Sequence, residues 1–156
     1  MIVSFNLDGV LFIDPAVTEA EAPLKFPNAR FNKDRLRLGT VELLSNIQKG
    51  GIGIWIYTTS NRPARYVKSL FKKYGISIDS VVNLQRHQKE VQANHAQTLP
   101  LVYPPRYRIA VHVDNDPDIA KSGKAHGFKV YEVDESKDWQ IDLWEYIKRL
   151  KSVGKD

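Results

Sequence analysis

The feature that most constrains the fold of this chain is an unbroken apolar run in its first half. Residues 52–57 read Ile-Gly-Ile-Trp-Ile-Tyr, with no charged or strongly polar residue among them. A strand with one face in water alternates apolar and polar residues, so a continuous apolar run is typical of a strand that is covered on both faces. Strands of this kind belong to parallel sheets, whose helical crossovers lie on the two faces. The run therefore predicts an α/β architecture.

The other predicted elements alternate between strands and helices. We predict further strands at 2–6, 80–82, 107–113 and 129–133 from their apolar residues. Amphipathic spacing and stop signals predict helices at 40–49, 62–74, within 84–97, from Pro117 to about Gly127, and at 139–152. This alternation predicts a three-layer, Rossmann-like, doubly wound and mostly parallel five-stranded sheet. At 156 residues we expect a single domain over 1–156.

Composition and charge limit the cellular compartment that we expect and the kinds of partner that the chain could bind. The chain has no cysteine, which excludes disulfides and thiolate metal sites and fits a reducing, cytoplasmic location. The apolar N-terminal stretch breaks at Asn6 and Asp8, so we expect neither a signal peptide nor a membrane span. The formal charge of +5 favours anionic partners such as phosphorylated metabolites or nucleic acid, although a solvated lysine-rich surface explains it equally well.

The segment after the first predicted strand carries the first sign of function. It reads Asn6-Leu7-Asp8-Gly9-Val10-Leu11. This resembles motif I of the haloacid dehalogenase (HAD) superfamily, in which an apolar strand is followed by Asp-x-Asp-Gly-Thr/Val-Leu. In that superfamily the first aspartate is the nucleophile that becomes phosphorylated. Asn6 occupies that position here, and a neutral amide cannot attack phosphorus as a carboxylate does.

The segment after the strand at 52–57 resembles motif II, an apolar strand that ends in Thr or Ser. It reads Thr58-Thr59-Ser60-Asn61-Arg62. A hydroxyl just before a helix N-terminus can hydrogen-bond a phosphate oxygen, so Thr58 is predicted to bind phosphate with Thr59 and Asn61 beside it. The alternative is that Ser60 or Asn61 only caps the following helix.

Residues 109–118 resemble motif IV, an apolar strand followed by spaced acidic residues. Asp114 and Asp118 match its Asp-x-x-x-Asp form, and Asp116 lies between them. Three carboxylates this close repel one another, and a divalent cation with a preference for oxygen ligands, such as Mg²⁺, relieves the repulsion. The alternative is a polar turn that caps the helix starting at Pro117, for which one aspartate would suffice.

Motif III, a Lys or Arg that neutralises phosphate charge ahead of the motif IV strand, is the weakest part of the resemblance. The candidates are Lys89, Arg86, Arg106 and Arg108, of which we select Lys89. Most of the 23 Lys and Arg residues are expected to be solvated.

The resemblance implies how these segments come together. Strands one and four are neighbours in HAD proteins, so we expect the sheet order 5-4-1-2-3, no cap domain, and a site where the strand ends meet. Mg²⁺ would be held by Asn6, Asp8, Asp114 and Asp118, with Asp8 also acting as general acid and base and Lys89 as the catalytic cation. The stretch 12–37 is expected to arch over the site as a flap. The stretch 98–106 is expected to be a plain surface loop.

Asn6 leaves two function classes open. The first is a magnesium-dependent phosphatase that is impaired because its nucleophile is missing. In that case Asn6 would be an introduced change, which the intact Asp8, Thr58 and acidic loop favour. The second is a non-catalytic phosphate-binding or protein-interaction module in which Asn6 is natural. The expected ligand is a phosphorylated substrate, and an open, capless site would suit a macromolecule such as a phosphoprotein or a nucleic acid end.

Overall fold

The structure, a computed structural model, describes residues 1–154 and contains one all-parallel five-stranded sheet. Its strands are β1 (Ile2–Phe5), β2 (Gly53–Tyr57), β3 (Ser80–Val82), β4 (Val111–Asp114) and β5 (Val130–Glu132). The order across the sheet is β3-β2-β1-β4-β5, which confirms the predicted order. In the central register, Val3 of β1 lies opposite Ile54 of β2 on one side and Val111 of β4 on the other.

Helices connect these strands. They are α1 (Asn28–Phe31), α2 (Thr40–Lys49), α3 (Ala64–Lys73), α4 (Leu84–Glu90), α5 (Pro117–His126) and α6 (Trp139–Val153), with 3-10 turns at Gln92–Asn94 and Pro104–Tyr107. All five predicted helices are present, although the one expected within 84–97 ends as an α-helix at Glu90. Within residues 1–154, no helix is long and apolar enough to cross a membrane.

The continuous apolar character of β2 follows from burial on both sides. Ile54 and Ile56 point into a large core with the apolar faces of α2, α3 and α6. Trp55 and Tyr57 point to the opposite side, where they join a second, smaller core around Val102 and Ile109. Because successive side chains of a strand alternate faces, both sets must be apolar when both faces are covered. The predicted three-layer arrangement is confirmed.

Two expectations for the segment before β4 were wrong. Strand four was predicted from residue 107, but Pro104–Tyr107 forms a 3-10 turn, Arg108 has a left-handed backbone with φ 56°, and the strand begins at Val111. Two consecutive prolines fix φ and lack N–H donors, so this stretch cannot extend the ladder. Nor is 98–106 a plain surface loop, because Val102 and Pro104 are buried against the second face of the sheet.

The stretch 12–37 is an excursion whose two ends are held together. Isolated bridges join Phe12 to Leu36 and Ala20 to Arg37, and Phe12 and Leu36 are both buried in the main core. The stretch also contains the short helix α1, which its proline-rich sequence did not predict. We call residues 12–37 the flap.

A glycine inside α5 provides a test of the packing on β5. A Cβ atom at Gly123 would lie 2.7 Å from the Phe128 carbonyl oxygen and 2.9 Å from a Val130 methyl carbon. Gly123→Ala gains about 1 kcal/mol of helix propensity, but overpacking costs about 1–3 kcal/mol, so we expect net destabilisation. Gly154→Ala, whose Cβ would meet nothing closer than 3.7 Å, is the matched control. Urea unfolding should show a lower midpoint for the first variant only, and equal midpoints would contradict the described packing.

Candidate functional site

The site lies where the carboxyl ends of three neighbouring strands meet. Asn6 follows β1, Thr58 follows β2, and Asp114 is the last residue of β4. The Asn6 N–H donates to the Val113 carbonyl at 3.0 Å, and the Thr58 N–H donates to the Val82 carbonyl at 2.9 Å. These bonds continue the ladders past the strand ends. They bring Asn6 and Asp114, which are 108 positions apart, into direct contact.

The Asp-Gly turn after β1 is tight, and it needs its glycine. The Leu7 carbonyl accepts from the N–H groups of Val10, Leu11 and Phe12 at 2.8–3.1 Å. Gly9 has φ +80°, and a Cβ there would lie 2.6 Å from Asn115 Nδ2 in the loop after β4. A residue with a side chain would be strained at this φ, and the exposed Asn115 side chain would have to move. The turn leaves the Asp8 side chain 59% exposed at the mouth of the site.

The orientation of the Asn6 amide is set by a backbone donor. Asn6 Oδ1 accepts from the Leu7 N–H at 2.9 Å. Because an N–H can only be given to the oxygen, the Nδ2 group must face the other way. Nδ2 donates at 3.3 Å to both the Asp8 carbonyl oxygen and Asp114 Oδ1. The NH₂ group therefore lies between oxygens of Asp8 and Asp114, two of the residues that were predicted to bind magnesium.

Asp114 is buried, and its carboxylate is held by a series of side chains across two strands. Its Oδ2 lies 3.0 Å from His112 Nε2, and His112 Nδ1 lies 2.8 Å from Ser4 Oγ. Its Oδ1 accepts from the N–H groups of Asn115 at 2.8 Å and Asp116 at 3.2 Å. These bonds fix the carboxylate so that Oδ1 faces Asn6. His112 lies within the predicted motif IV strand, and nothing in the sequence indicated that it would orient Asp114.

The three acidic residues after β4 have different roles in the structure. Asp114 faces the site, whereas Asp116 caps α5 by accepting from the Asp118 N–H at 2.9 Å. Asp118 is exposed in the first turn of α5. Of the two interpretations of this loop, the capping turn therefore accounts for Asp116. Within residues 1–154, no group of three or more His, Asp and Glu side chains is placed to hold a metal ion.

Thr58 is buried and forms part of a short hydroxyl pair. Its Oγ1 donates to Ser60 Oγ at 3.1 Å and accepts from the Ser60 N–H at 3.1 Å. Neither Ser60 nor Asn61 caps α3, whose N-cap is Pro63 with no side-chain hydrogen bond. Asn61 Oδ1 instead accepts from the Gln85 N–H at 3.1 Å and so faces α4. Thr59 is exposed.

Arg62, the last residue of the motif II segment, is a cation that the structure places at this site and that was not among the predicted site residues. Its Nη1 donates to Asp8 Oδ2 at 2.8 Å and to Ser60 Oγ at 3.2 Å. Its Nε and Nη2 both donate to the Asp34 carboxylate of the flap at 3.2 Å. The hydrogen bond to Asp8 and the contacts with Asp34 outweigh burial and raise the pKa of Arg62. Asp34 also accepts from the Tyr66 hydroxyl at 2.7 Å, and burial together with this bond raises the pKa of Tyr66 to about 12.

The cations predicted for motif III make their contacts elsewhere. Lys89 is exposed in the last turn of α4, at the end away from Asn83, whose side chain bonds the Arg62 carbonyl. Arg86 donates to Glu90 at 2.6 Å and to Ser80 at 2.8 Å. Arg106 donates to the Glu90 carbonyl at 3.4 Å, and Arg108 is exposed. In the part of the chain that the structure describes, no hydrogen bond or ion pair connects Lys89 with the site, and its catalytic role stays a prediction.

A cleft of about 830 Å³ opens beside Asp8. One wall is formed by the start of the flap and by Asp34, and the other by the segment 133–139 that leads into α6. The flap thus borders the site, and the expected arch over it stays a prediction. Arg37 of the flap is buried against the Trp139 ring and donates to the carbonyls of Asp134 and Ser136, which joins the two walls at one end.

The residues at the strand ends have the oxygen ligands that magnesium prefers, but the Asn6 amide is not oriented to coordinate it. Asp114 Oδ1 and the Asp8 carbonyl are hard oxygen ligands that converge on one point. That point faces the Asn6 nitrogen, which cannot coordinate a cation. The amide oxygen could face it only if the Leu7 N–H lost its acceptor, at a cost of about 1–3 kcal/mol for an unsatisfied buried donor. An aspartate at position 6 would offer one oxygen to the Leu7 N–H and the other to the magnesium ion.

Comparison with known proteins supports the fold through solved structures alone. Neither the profiles of known protein families nor the curated protein sequences give a match. A crystallised hydrolase from Streptococcus pneumoniae TIGR4 is similar with a TM-score of 0.58 at 14% identity, over 94% of this chain and 97% of that one. D,D-heptose 1,7-bisphosphate phosphatase from B. bronchiseptica, complexed with magnesium and phosphate, gives 0.51 at 10% identity over 83% and 78%. A chain of the Pnkp1/Rnl/Hen1 complex gives 0.52 at 14% identity over 87% of this chain and 46% of that one.

These likenesses show a shared fold. The described chain has the capless HAD-like fold that motifs I, II and IV predicted, with the motif residues at the carboxyl ends of β1, β2 and β4.

Proposed function

We propose that this protein has a phosphatase-type site that binds a phosphoryl group with the help of Mg²⁺ and does not hydrolyse it, because Asn6 stands at the nucleophile position. The observation that carries this proposal is the contact of Asn6 with both Asp114 and the Asp8 carbonyl at 3.3 Å. A carboxylate at position 6 would face the magnesium ligands Asp114 and the Asp8 carbonyl directly. The group that this chain lacks is therefore the nucleophile.

Each residue has a role that follows from its position. Thr58, at the end of β2, offers a hydroxyl to a phosphate oxygen, with Thr59 beside it. Asp8 is exposed at the mouth of the site, where it can give a proton to a leaving group and take one from water. Asp114, the Asp8 carbonyl and, once the amide has turned, the Asn6 oxygen would hold magnesium, which would supply electrostatic stabilisation of phosphate charge. Asp118 and Asn61 would contribute only from the edge of the site.

The charges around the site support a requirement for a cation. Asp8, Asp34 and Asp114 bring three carboxylates, against the single guanidinium of Arg62. With His112 counted as neutral, two formal negative charges remain before any ligand enters. A phosphoryl dianion would be repelled by this balance, and a divalent cation would remove the repulsion.

Magnesium should therefore stabilise the protein weakly as it stands, and more strongly when Asn6 is replaced by Asp. The new carboxylate would lie about 3 Å from Asp114 and repel it, so Asn6→Asp is expected to lower the melting temperature in a chelator and to raise it in magnesium. Asp114→Ala should remove most of the magnesium-dependent rise in both backgrounds. Differential scanning fluorimetry over a magnesium titration measures this. An unchanged rise in the Asp114→Ala variant would show that the ion binds elsewhere.

A second candidate function is a purely non-catalytic module that binds a phosphorylated protein or nucleic acid end. It is favoured by one observation: the Asn6 amide pairs with one donor and two acceptors of the protein itself. Both candidates predict that a phosphoryl group binds at this site. They differ in whether Asn6→Asp creates turnover.

The shared part of the proposal is tested by phosphate binding. Isothermal titration of inorganic phosphate into the protein in magnesium buffer should show one site, and Thr58→Val should weaken binding because the hydroxyl donor is lost. Thr18→Val, at a threonine lining the flap side of the cleft, is the control and should bind as the original chain does. Equal binding by the original chain and Thr58→Val would contradict the assignment of the site.

A further inference from the structure

Arg62 is partly exposed, and its guanidinium is already oriented by neighbouring groups, so it is placed to bind a ligand. Its side chain is 24% exposed, and its guanidinium lies 5.0 Å from the centre of the Phe12 ring. Within the described residues, its bonds to Asp8, Asp34 and Ser60 engage four of its five N–H groups. The side facing Asp34 uses Nε and Nη2, so Nη1 is the nitrogen directed to the site.

Arg62 belongs to the same hydrogen-bond network as the predicted phosphate ligand. Thr58 Oγ1 donates to Ser60 Oγ, and Arg62 Nη1 donates to that same oxygen at 3.2 Å. The network therefore runs from Thr58 through Ser60 and Arg62 to Asp8. A phosphoryl group that bonds the Thr58 hydroxyl would enter between these groups.

The planar fork of arginine is suited to phosphate, because it presents parallel donors at a fixed angle and is always charged. In the structure Nη1 meets one oxygen of Asp8 at 2.8 Å, which is the contact of a charge-assisted hydrogen bond. A phosphoryl oxygen offers the same kind of acceptor with more charge. The exposed Asp8 can give up this bond to the ligand while Asp34 keeps the other edge of the fork.

We propose that Arg62 supplies the positive charge that recognises the phosphoryl group, in place of a motif III residue, and that Asp34 of the flap positions its guanidinium. This rests on the proposed function. It assigns Arg62 as a binding residue and Asp34 as a positioning residue, and it makes the flap part of the phosphate site.

The test is titration of inorganic phosphate, in magnesium buffer, into the full chain and its variants. Arg62→Ala should weaken binding by about tenfold or more, and Arg62→Lys by a smaller factor, because lysine keeps the charge and loses the fork. Arg65→Ala is the matched control, since Arg65 is exposed on α3 three positions later and carries the same charge. It should bind phosphate within about twofold of the original chain, as for a screened surface charge.

Asp34→Asn tests positioning separately from folding. If Asp34 holds the fork, phosphate binding should weaken in this variant, and adding Arg62→Lys to it should then cost nothing further. If Asp34 has a purely structural role, Arg62→Lys should weaken binding by the same factor with and without Asp34→Asn, and the positioning assignment is overturned. Circular dichroism and melting temperature confirm that each variant is folded, and Arg62→Lys keeps the test valid if Arg62→Ala does not fold.

The outcomes separate this inference from the proposed function. If Thr58→Val loses phosphate binding while Arg62→Ala and Arg62→Lys keep it, the site stands and the assignment of Arg62 is overturned. If the original chain binds no phosphate at all, both the site and the assignment are overturned. Weaker binding in the Arg62 variants with unchanged binding in Arg65→Ala supports the inference.

Discussion

Replacing Asn6 by aspartate is expected to create magnesium-dependent hydrolysis of an activated aryl phosphate in a chain that otherwise shows almost none. The gain should be on the order of 10³-fold or more, or roughly 4 kcal/mol in the barrier, because the variant acquires a nucleophile that can form an acyl phosphate. The Leu7 N–H already donates to the oxygen of residue 6 at 2.9 Å, so it would hold one carboxylate oxygen and orient the group. Steady-state release of the aryl alcohol measures the gain.

Asn6→Ala is the control for this variant. It removes the amide without adding a nucleophile, so it should fold and remain inert. The assay needs a broad panel of phosphate esters, since a site that binds a macromolecular ligand can reject small ones. A folded Asn6→Asp variant that binds magnesium and stays inert across the panel would favour the non-catalytic module.

Asp8→Asn, added to the Asn6→Asp variant, is expected to reduce the restored rate by roughly 10²–10⁴-fold, the usual contribution of general acid–base catalysis. Asparagine is similar in shape and retains an oxygen for Arg62, which lies 2.8 Å from the Asp8 carboxylate. The loss should therefore be in proton transfer, and it should be largest for esters with poor leaving groups.

The control for Asp8→Asn is Asp142→Asn, which removes one negative charge from an exposed position on α6. It should leave the restored rate unchanged. If both variants lose activity equally, the effect of Asp8 is a general effect of charge and not acid–base catalysis.

The sheet could be predicted from the sequence because each strand is a short segment rich in apolar, mostly β-branched or aromatic residues. Residues 52–57 and 80–82 are nearly coextensive with β2 and β3, because both runs are short and rich in β-branched or aromatic residues, which favours a buried strand over a helix. The fourth strand was placed too early because Tyr107 and Ile109 are apolar. Both residues pack on the sheet from a 3-10 turn and its exit, so burial produced the same pattern as a strand.

The candidate site was predictable where residues adjoin strand ends and not where they come from the flap. Asn6, Thr58 and Asp114 lie at strand ends, and the parallel order of the sheet brings those ends to one edge. Asp34 lies in an irregular stretch with no period, and nothing in the sequence connects it with Arg62, 28 positions away. Arg62 could have been noted, because a cation four residues after Thr58 must stay close to the end of β2.

The most direct test of the central claim is to look for the phosphoryl group on residue 6. The Asn6→Asp variant should be mixed with a radiolabelled phosphate ester and magnesium, quenched in acid, and digested. We expect label on the peptide that contains residue 6, labile to hydroxylamine as an acyl phosphate is, and no label on the original chain. Turnover of the ester by the variant without label at residue 6, or label on another residue, would contradict the account.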